Sequence, residues 1–259
     1  MPELPDLEVF SHNLQKTLKG KKLSSLHVKS NAKLKVTAST LKKAFEGEQL
    51  KKVYREGKEL RFQFSNDHLL GMHLMLNGKL IYREDDAEQK HTILSLQFDD
   101  GSTLSLTDYQ GIASASVDPE PGDAPDALSD EFTEAYLQQK LGSSRAAVKN
   151  QLLDQHVVRG IGNAYADEIL WAAGIAPFST SKAIPPAKVR ALFKAIKKVL
   201  EDAITQIQKH HPDIIAGEVR DFLKIHQHKK AESPTGHAIQ HQVKGGRKTY
   251  FTNEQELFE

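Results

Sequence analysis

Two hydrophobic periods that do not mix constrain this chain more than anything else in it. Between residue 20 and about residue 117, short β-rich segments recur at 23–28, 51–54, 60–64, 69–75, 79–82, 93–98 and 103–106. Gly, Asn and Asp turns separate them, with Asn66-Asp67 and Asp99-Asp100-Gly101 reading as hairpin turns. So many short strands in so short a stretch predict a sandwich or barrel-like β domain. After residue 130 the period becomes helical, over about 131–141, 145–157, 164–173, 186–208 and 215–226. An acidic, Pro-rich stretch over 118–130 separates the two regimes and reads as a linker. Ahead of the strands, Leu7, Phe10, Leu14 and Leu18 at helical spacing predict a helix over 5–19 that Gly20 stops. A short helix is expected within 33–47 from Leu34, Leu41 and Phe45. The last 33 residues turn polar and His-rich, and 245–251 look like the turn and second strand of a hairpin. The fold class is therefore α+β, with an N-terminal helix and a sandwich or barrel-like β domain followed by a helical domain.

At 259 residues the chain can form one large domain or two smaller ones. No apolar run approaches 18 residues, so no membrane span is expected. There are no cysteines, which excludes disulfides and every thiolate metal site and makes a cytoplasmic location the simplest expectation. The start lacks the basic residues and apolar run of an export signal. A net charge of +1 conceals a polarised distribution. Residues 1–81 hold 15 Lys/Arg against 8 Asp/Glu, residues 82–139 hold 2 against 14, and residues 140–259 hold 18 against 12. Two basic parts around an acidic segment fit a molecule with one cationic face, as well as charges scattered over solvated surfaces.

Two stretches carry chemistry. In Met1-Pro-Glu-Leu-Pro-Asp-Leu-Glu8, removal of the initiator Met leaves Pro2 with a free secondary amine, of pKa roughly 7.7–8.0, so that much of it is unprotonated at working pH. Such an amine attacks an aldehyde-level sugar carbon and gives a charged iminium without any cofactor, while Glu3 beside it can carry protons. The same residues also fit a frayed, Pro-stiffened terminus. In the second stretch a helix ends near Val157, a turn runs through Gly160-Ile161-Gly162, and Asn163 is expected to cap the next helix. Two glycines permit close approach of a phosphate, and the helix start supplies free N–H groups. An ordinary packing corner between two helices would look the same.

Taken together, the two stretches resemble the formamidopyrimidine-DNA glycosylase and endonuclease VIII family. The first resembles that family's Met-Pro-Glu-Leu-Pro-Glu-Val-Glu start, and the second its helix-two-turn-helix motif. The resemblance extends over essentially the whole chain and implies an N-terminal helix with a two-sheet β-sandwich as the catalytic domain over 1–128, a helix-two-turn-helix DNA-binding domain over 129–225 and a zincless-finger hairpin over 226–259. It implies Pro2 as nucleophile and Glu3 as the acid assisting base release and sugar-ring opening. Lys58, in Tyr54-Arg-Glu-Gly-Lys-Glu-Leu, matches a lysine that contacts phosphate beside the lesion. Lys149 and Asn163 match residues that hold phosphates around the extruded nucleotide, and Arg247 matches the arginine at the tip of the finger. His73-Leu-Met-Leu-Asn-Gly puts Leu76 where an apolar wedge fills the gap left by a flipped base, although Leu76 also fits a hairpin or core position.

The departures matter as much. The family's usual finger holds Zn²⁺ on four cysteines, whereas the corresponding positions here are Glu232, Thr235, Thr252 and Gln255, which make no plausible zinc site. His226, His228, His237 and His241 fit no standard ligand spacing, so neither metal nor cofactor is expected and a zincless finger is the better reading. In Thr107-Asp-Tyr-Gln-Gly-Ile-Ala, Gln110 stands for an arginine that would pair with the orphaned base, and Ile112 for a stacking Phe. Asp6 replaces the family's second Glu. The segment before the finger is short, and the long loop that closes over oxidised purines is missing, which argues against a strict 8-oxoguanine enzyme.

What the resemblance implies is a monomeric bifunctional DNA glycosylase and abasic-site lyase acting on double-stranded DNA that carries damaged bases or abasic sites, in which Pro2 forms the iminium and β,δ-elimination nicks the strand. The alternative is a damage- or abasic-site-binding protein of the same fold with little or no turnover. A ribosome- or RNA-associated protein using the two-turn motif alone leaves the N-terminal stretch unexplained. The sequence leaves open the lesion range, the opposite-base preference and the choice between duplex and single-stranded DNA.

Overall fold

The computed structural model describes residues 1–29, 34, 36–85, 87 and 89–259. The chain forms two compact units, one comprising Met1–Pro121 with Ile207–Glu218, the other Gly122–Gln206 with Val219–Glu259. The break at Pro121 falls inside the acidic, Pro-rich stretch.

In the first unit helix α1 (Leu4–Leu18) is followed by strand β1 (Leu23–Val28), helix α2 (Ala38–Phe45) and strands β2 (Leu50–Glu56), β3 (Glu59–Phe64), β4 (Leu69–His73), β5 (Lys79–Arg83), β6 (Thr92–Phe98), β7 (Thr103–Thr107) and β8 (Ser114–Val117). They make two antiparallel four-stranded sheets, ordered β1-β6-β7-β5 and β2-β3-β4-β8. One apolar core joins them. It takes Leu7, Phe10, Leu14 and Leu18 from α1, Phe45 from α2, and inward-facing strand residues such as Phe62, Phe64, Leu96 and Leu104. Burying a side chain of this size is worth about 1.5–3 kcal/mol, so α1 is held by its apolar stripe more than by its own propensity. The expected hairpin turns are present. Asp67 takes a φ of 67° between β3 and β4, and Gly101 one of 85° between β6 and β7. The helix expected over 33–47 begins at Ala38, where Thr37 accepts the Thr40 N–H at 3.1 Å; residues 33 and 35 lie outside the described residues.

The second unit contains α3 (Glu134–Gly142), α4 (Val148–Leu153), α5 (Asn163–Ala173), most of α6 (Pro186–His210) and a hairpin of β9 (Gln240–Lys244) and β10 (Arg247–Phe251). Helix α5 ends at Gly174, whose φ of 66° is the left-handed cap a glycine accommodates best. The hairpin tip is Gly245-Gly246, both at positive φ, 58° and 74°, as a two-residue turn of this hand requires.

Two expectations are corrected. Residues 215–226 form no helix; they run as turns and bends, with Gly217 at φ 94° interrupting any helical run. Strand β8 was missed because Ser114–Val117 holds only two apolar residues of modest size. It pairs with β4, so partnership rather than composition makes it a strand.

Candidate active site and nucleic-acid interface

In the first unit Pro2 and Glu3 immediately precede α1, and both are buried, Glu3 to 4% exposure. Glu3 is the N-cap, and with Asp6 it forms a capping box; the Glu3 N–H donates to Asp6 Oδ2 at 2.9 Å. Asp6 is fully buried, so the residue that replaces the family's second Glu acts here on the backbone of Glu3 itself. The Met1 amine pairs with Glu218.

Lys58 lies in the two-residue turn between β2 and β3, after Gly57 at φ 59°. Arg55 ties this turn to α1. Its Nε donates to Glu8 Oε2 at 2.7 Å and its Nη1 to the Gly57 carbonyl at 3.2 Å, with the side chain 6% exposed. Glu8 stands five residues along α1 from Glu3, about 7.5 Å of helix axis. Arg55 was not singled out from the sequence. Its place three residues before Lys58, within Tyr54-Arg-Glu-Gly-Lys, was the available signal.

Leu76 projects from a tight turn with 58% exposure. The Gly78 N–H donates to the Leu74 carbonyl at 2.8 Å, and a Cβ on Gly78 would lie 2.2 Å from that oxygen, so glycine is required there. Met75 takes a φ of 54°, uncommon for a side-chain-bearing residue, and its N–H donates to His73 Nδ1. Gln110 is exposed and accepts a bond from Asn77 Nδ2 at 2.6 Å. Ile112 is half-buried. Both Gln110 and Ile112 are held by Asp108, whose carboxylate accepts the N–H groups of Gln110, Ile112 and Ala113 at 2.8–2.9 Å. Burial pushes the Asp108 carboxyl upward, but these three donors outweigh it and leave it below its ordinary range.

In the second unit the Gly160–Asn163 turn is stapled by Gln155. Its Oε1 accepts the Gly160 N–H at 3.0 Å and its Nε2 donates to Leu153 and Ile161 carbonyls at 3.0 and 3.1 Å. Gly160 takes a φ of 102°. The N-cap of α5 is Gly162, not Asn163 as expected. The Asn163 amide instead donates to the Lys248 carbonyl in the hairpin at 2.9 Å, because a residue already inside the helix cannot cap it.

Lys149 is 5% exposed. Its ammonium meets Asp167 Oδ1 at 2.7 Å and donates to Thr249 Oγ1 at 2.8 Å. The other Asp167 oxygen accepts the Tyr250 N–H at 2.9 Å and lies 2.7 Å from His226 Nδ1. Glu168 accepts the N–H groups of Lys224, Ile225 and His226, each at 2.8 Å. Adjacent carboxylates on α5 thus hold both the hairpin and the segment leading to it. Arg247 is exposed beside the hairpin tip.

Where the resemblance puts a metal, a carboxylate stands. Glu254 Oε2 accepts from Thr252 at 3.0 Å, from the Trp171 indole at 3.2 Å and from Ser233 at 3.3 Å, while Oε1 lies 3.4 Å from His237 Nδ1. A hydrogen bond from Thr235 holds the Glu254 carboxyl below its usual range. Burial opposes this, and Thr252, Trp171 and the charge of His237 reinforce it. Gln255, at another of the four positions, spends its amide on Thr252 N–H and the Ile175 carbonyl, each at 2.8 Å. Hydroxyls and an amide engaged in this way do not fit zinc, and among the described residues no group of three or more His, Asp or Glu is placed to hold a metal.

Residues 1–115 match the formamidopyrimidine-DNA glycosylase N-terminal domain and residues 124–212 the formamidopyrimidine-DNA glycosylase H2TH domain. The chain is 32% identical to the formamidopyrimidine-DNA glycosylase of Chloroflexus aurantiacus, over 79% of this chain and 77% of that one. It is 29% identical to the Pelotomaculum thermopropionicum protein of the same name, over 97% of each. Among solved structures, a Lactococcus lactis Fpg in complex with DNA containing an abasic site superposes with a TM-score of 0.88 at 26% identity, covering 97% of this chain and 98% of that one. MutM in complex with DNA containing carbocyclic 8-oxo-G gives 0.88 at 27%, covering 98% and 100%. With both family domains present, a helix-two-turn-helix unit ending in a hairpin and no cysteine anywhere, the chain belongs to the formamidopyrimidine-DNA glycosylase family, as a zincless-finger member.

Proposed function

We propose that this protein is a bifunctional DNA glycosylase and abasic-site lyase of base excision repair, acting on double-stranded DNA that carries damaged bases or abasic sites. The observation that carries this reading is the buried Pro2-Glu3 pair at the start of α1, together with a lysine-bearing turn that Arg55 ties to the same helix. Related proteins solved with abasic DNA support the choice of partner.

Once Met1 is removed, the Pro2 nitrogen attacks C1′ of an extruded nucleotide. The C1′–N bond breaks with its electron pair leaving on the base, and Glu3 serves that departure by proton transfer. The Pro2 nitrogen gives up its proton, the C1′–O4′ bond opens with O4′ taking a proton from Glu3, and the iminium so formed acidifies C2′. Loss of a C2′ proton expels the 3′ phosphate, and a second elimination expels the 5′ phosphate. Hydrolysis then returns the Pro2 amine. Lys58 holds phosphate beside the lesion, Asn163 and Arg247 hold backbone in the second unit, and Lys149 acts on DNA through the hairpin it anchors. Leu76 fills the gap in the stack, which needs apolar volume more than polarity.

Borohydride added during reaction with an abasic duplex tests this. A covalent protein–DNA adduct is expected with the wild type and much less with Pro2→Gly. An absent adduct, or an equal one from the variant, would overturn the role of Pro2. A single-turnover nicking assay separates this reading from that of a binding protein without turnover.

A further inference from the structure

Of the large apolar or aromatic side chains among the described residues, four are prominently exposed, and two of these, Leu76 at 58% and Tyr109 at 65%, leave the same end of one sheet. Strands β5 and β7 are antiparallel with Lys79 opposite Thr107, so the turn preceding β5 and the turn following β7 emerge side by side. Asn77 and Gln110, the next residue after each exposed side chain, are joined by a hydrogen bond of 2.6 Å.

Neither turn is slack. The Tyr109 turn closes with the Gly111 N–H on the Asp108 carbonyl at 3.1 Å, and the buried Asp108 carboxylate takes three further N–H groups. The Leu76 turn is closed by Gly78 and carries Met75 at positive φ. A phenol ring and an isobutyl group are thus held at the surface by backbone that has been constrained to put them there. Exposing both costs free energy in the isolated protein, and an apolar partner recovers it.

The geometry points to Tyr109 as the residue that stacks on the base opposite the lesion once the damaged nucleotide has left the helix. This rests on the proposed action on duplex DNA. Extrusion creates two apolar demands at one level of the duplex, an empty slot and an unpaired base whose stacking partner has gone. Leu76 has the volume for the first, and a flat aromatic ring suits the second. Gln110 occupies an arginine's place, and its carbonyl is already engaged by Asn77. Recognition of the orphaned base therefore passes from hydrogen bonding to ring stacking, which every base can accept. The corollary is weak discrimination among opposite bases.

The test measures binding to a duplex with a tetrahydrofuran abasic analogue facing a normal base, and to a second duplex in which the facing position is also abasic. On the first, Tyr109→Ala is expected to weaken binding by roughly 5- to 150-fold. Tyr109→Phe should stay within about a factor of two, since the ring and not the hydroxyl stacks. On the second duplex the alanine penalty should disappear, because the base it depends on is gone. A penalty of equal size on both duplexes overturns the stacking role while leaving the glycosylase reading intact. A wild type with no preference for the analogue over undamaged duplex overturns the functional reading and this inference with it.

Discussion

At Arg55 a single guanidinium makes two bonds in different directions, one to α1 through Glu8 and one to the carbonyl of the turn that carries Lys58. A lysine has one point charge and no planar fork, so it cannot reproduce both bonds in the geometry that Nε and Nη1 give. Arg55→Lys is expected to leave circular dichroism unchanged while slowing adduct trapping by on the order of 10²-fold, the cost of roughly 1 Å of misplacement at a reacting centre. A trapping rate close to wild type would remove Arg55 from the positioning of Lys58. Processing is the second residue-scale test. While Met1 is attached, the Pro2 nitrogen belongs to an amide and has no basic lone pair. A retained Met1, or a tag ahead of Pro2, should abolish trapping and leave affinity for an abasic duplex largely intact, with mass spectrometry reporting the terminus and gel shift the binding.

The hairpin β9–β10 is too small to be stable by itself, and its strand β9 is exposed throughout. Its stability comes from α5 on one side and from Glu254 on the other. The Lys149–Asp167 pair is buried on both sides, so Lys149→Ala takes the ammonium from a carboxylate that keeps the Tyr250 N–H and His226, and should cost about 3 kcal/mol in thermal unfolding. The double variant Lys149→Met with Asp167→Leu should recover only part of that, since it leaves no orphaned charge but takes the carboxylate away from the Tyr250 N–H and from His226. A Lys149→Ala protein as stable as the wild type would mean that Asp167 is compensated elsewhere. The Glu254 hub gives a pH prediction. Its folded-state pKa is depressed, so its contribution is complete above the ordinary glutamate value of 4.5 and is lost as pH falls through the lower folded value. Trp171 is the sole tryptophan and donates to Glu254, so its emission should report the transition. Glu254→Gln should abolish that step, and a step that persists would assign it to another group.

For the whole molecule, charge is unevenly spread along the chain, with an acidic middle between two basic parts. Duplex binding should therefore weaken steeply with salt. Arg247→Ala should lower affinity about equally for all sequences and reduce the slope of log K against log salt by about one. An unchanged slope would mean that Arg247 meets no phosphate. A panel of duplexes bearing 8-oxoguanine, formamidopyrimidine, thymine glycol, dihydrouracil and abasic sites addresses the lesion range. The segment before the finger is short, so 8-oxoguanine opposite C is not expected to be the best substrate, and its being so would reverse that reading.

By itself the sequence determined the two regimes, nearly every strand and the helices flanking the Gly160 turn, because period and turn chemistry are local properties that neighbouring residues decide among themselves. It also singled out Pro2, Glu3 and Lys58 through motifs whose spacing is read along the chain, an assignment that adduct trapping tests. Only the tertiary structure decided the rest. It made a strand of Ser114–Val117 by pairing it with β4 and denied a helix to residues 215–226. It also turned Lys149 inward to Asp167, put Glu254 among the hydroxyls at the finger and set Tyr109 beside the Leu76 turn. Apart from the break at Gly217, these depend on partners tens of residues away, and a side chain's role follows from what it meets once the chain has closed around it.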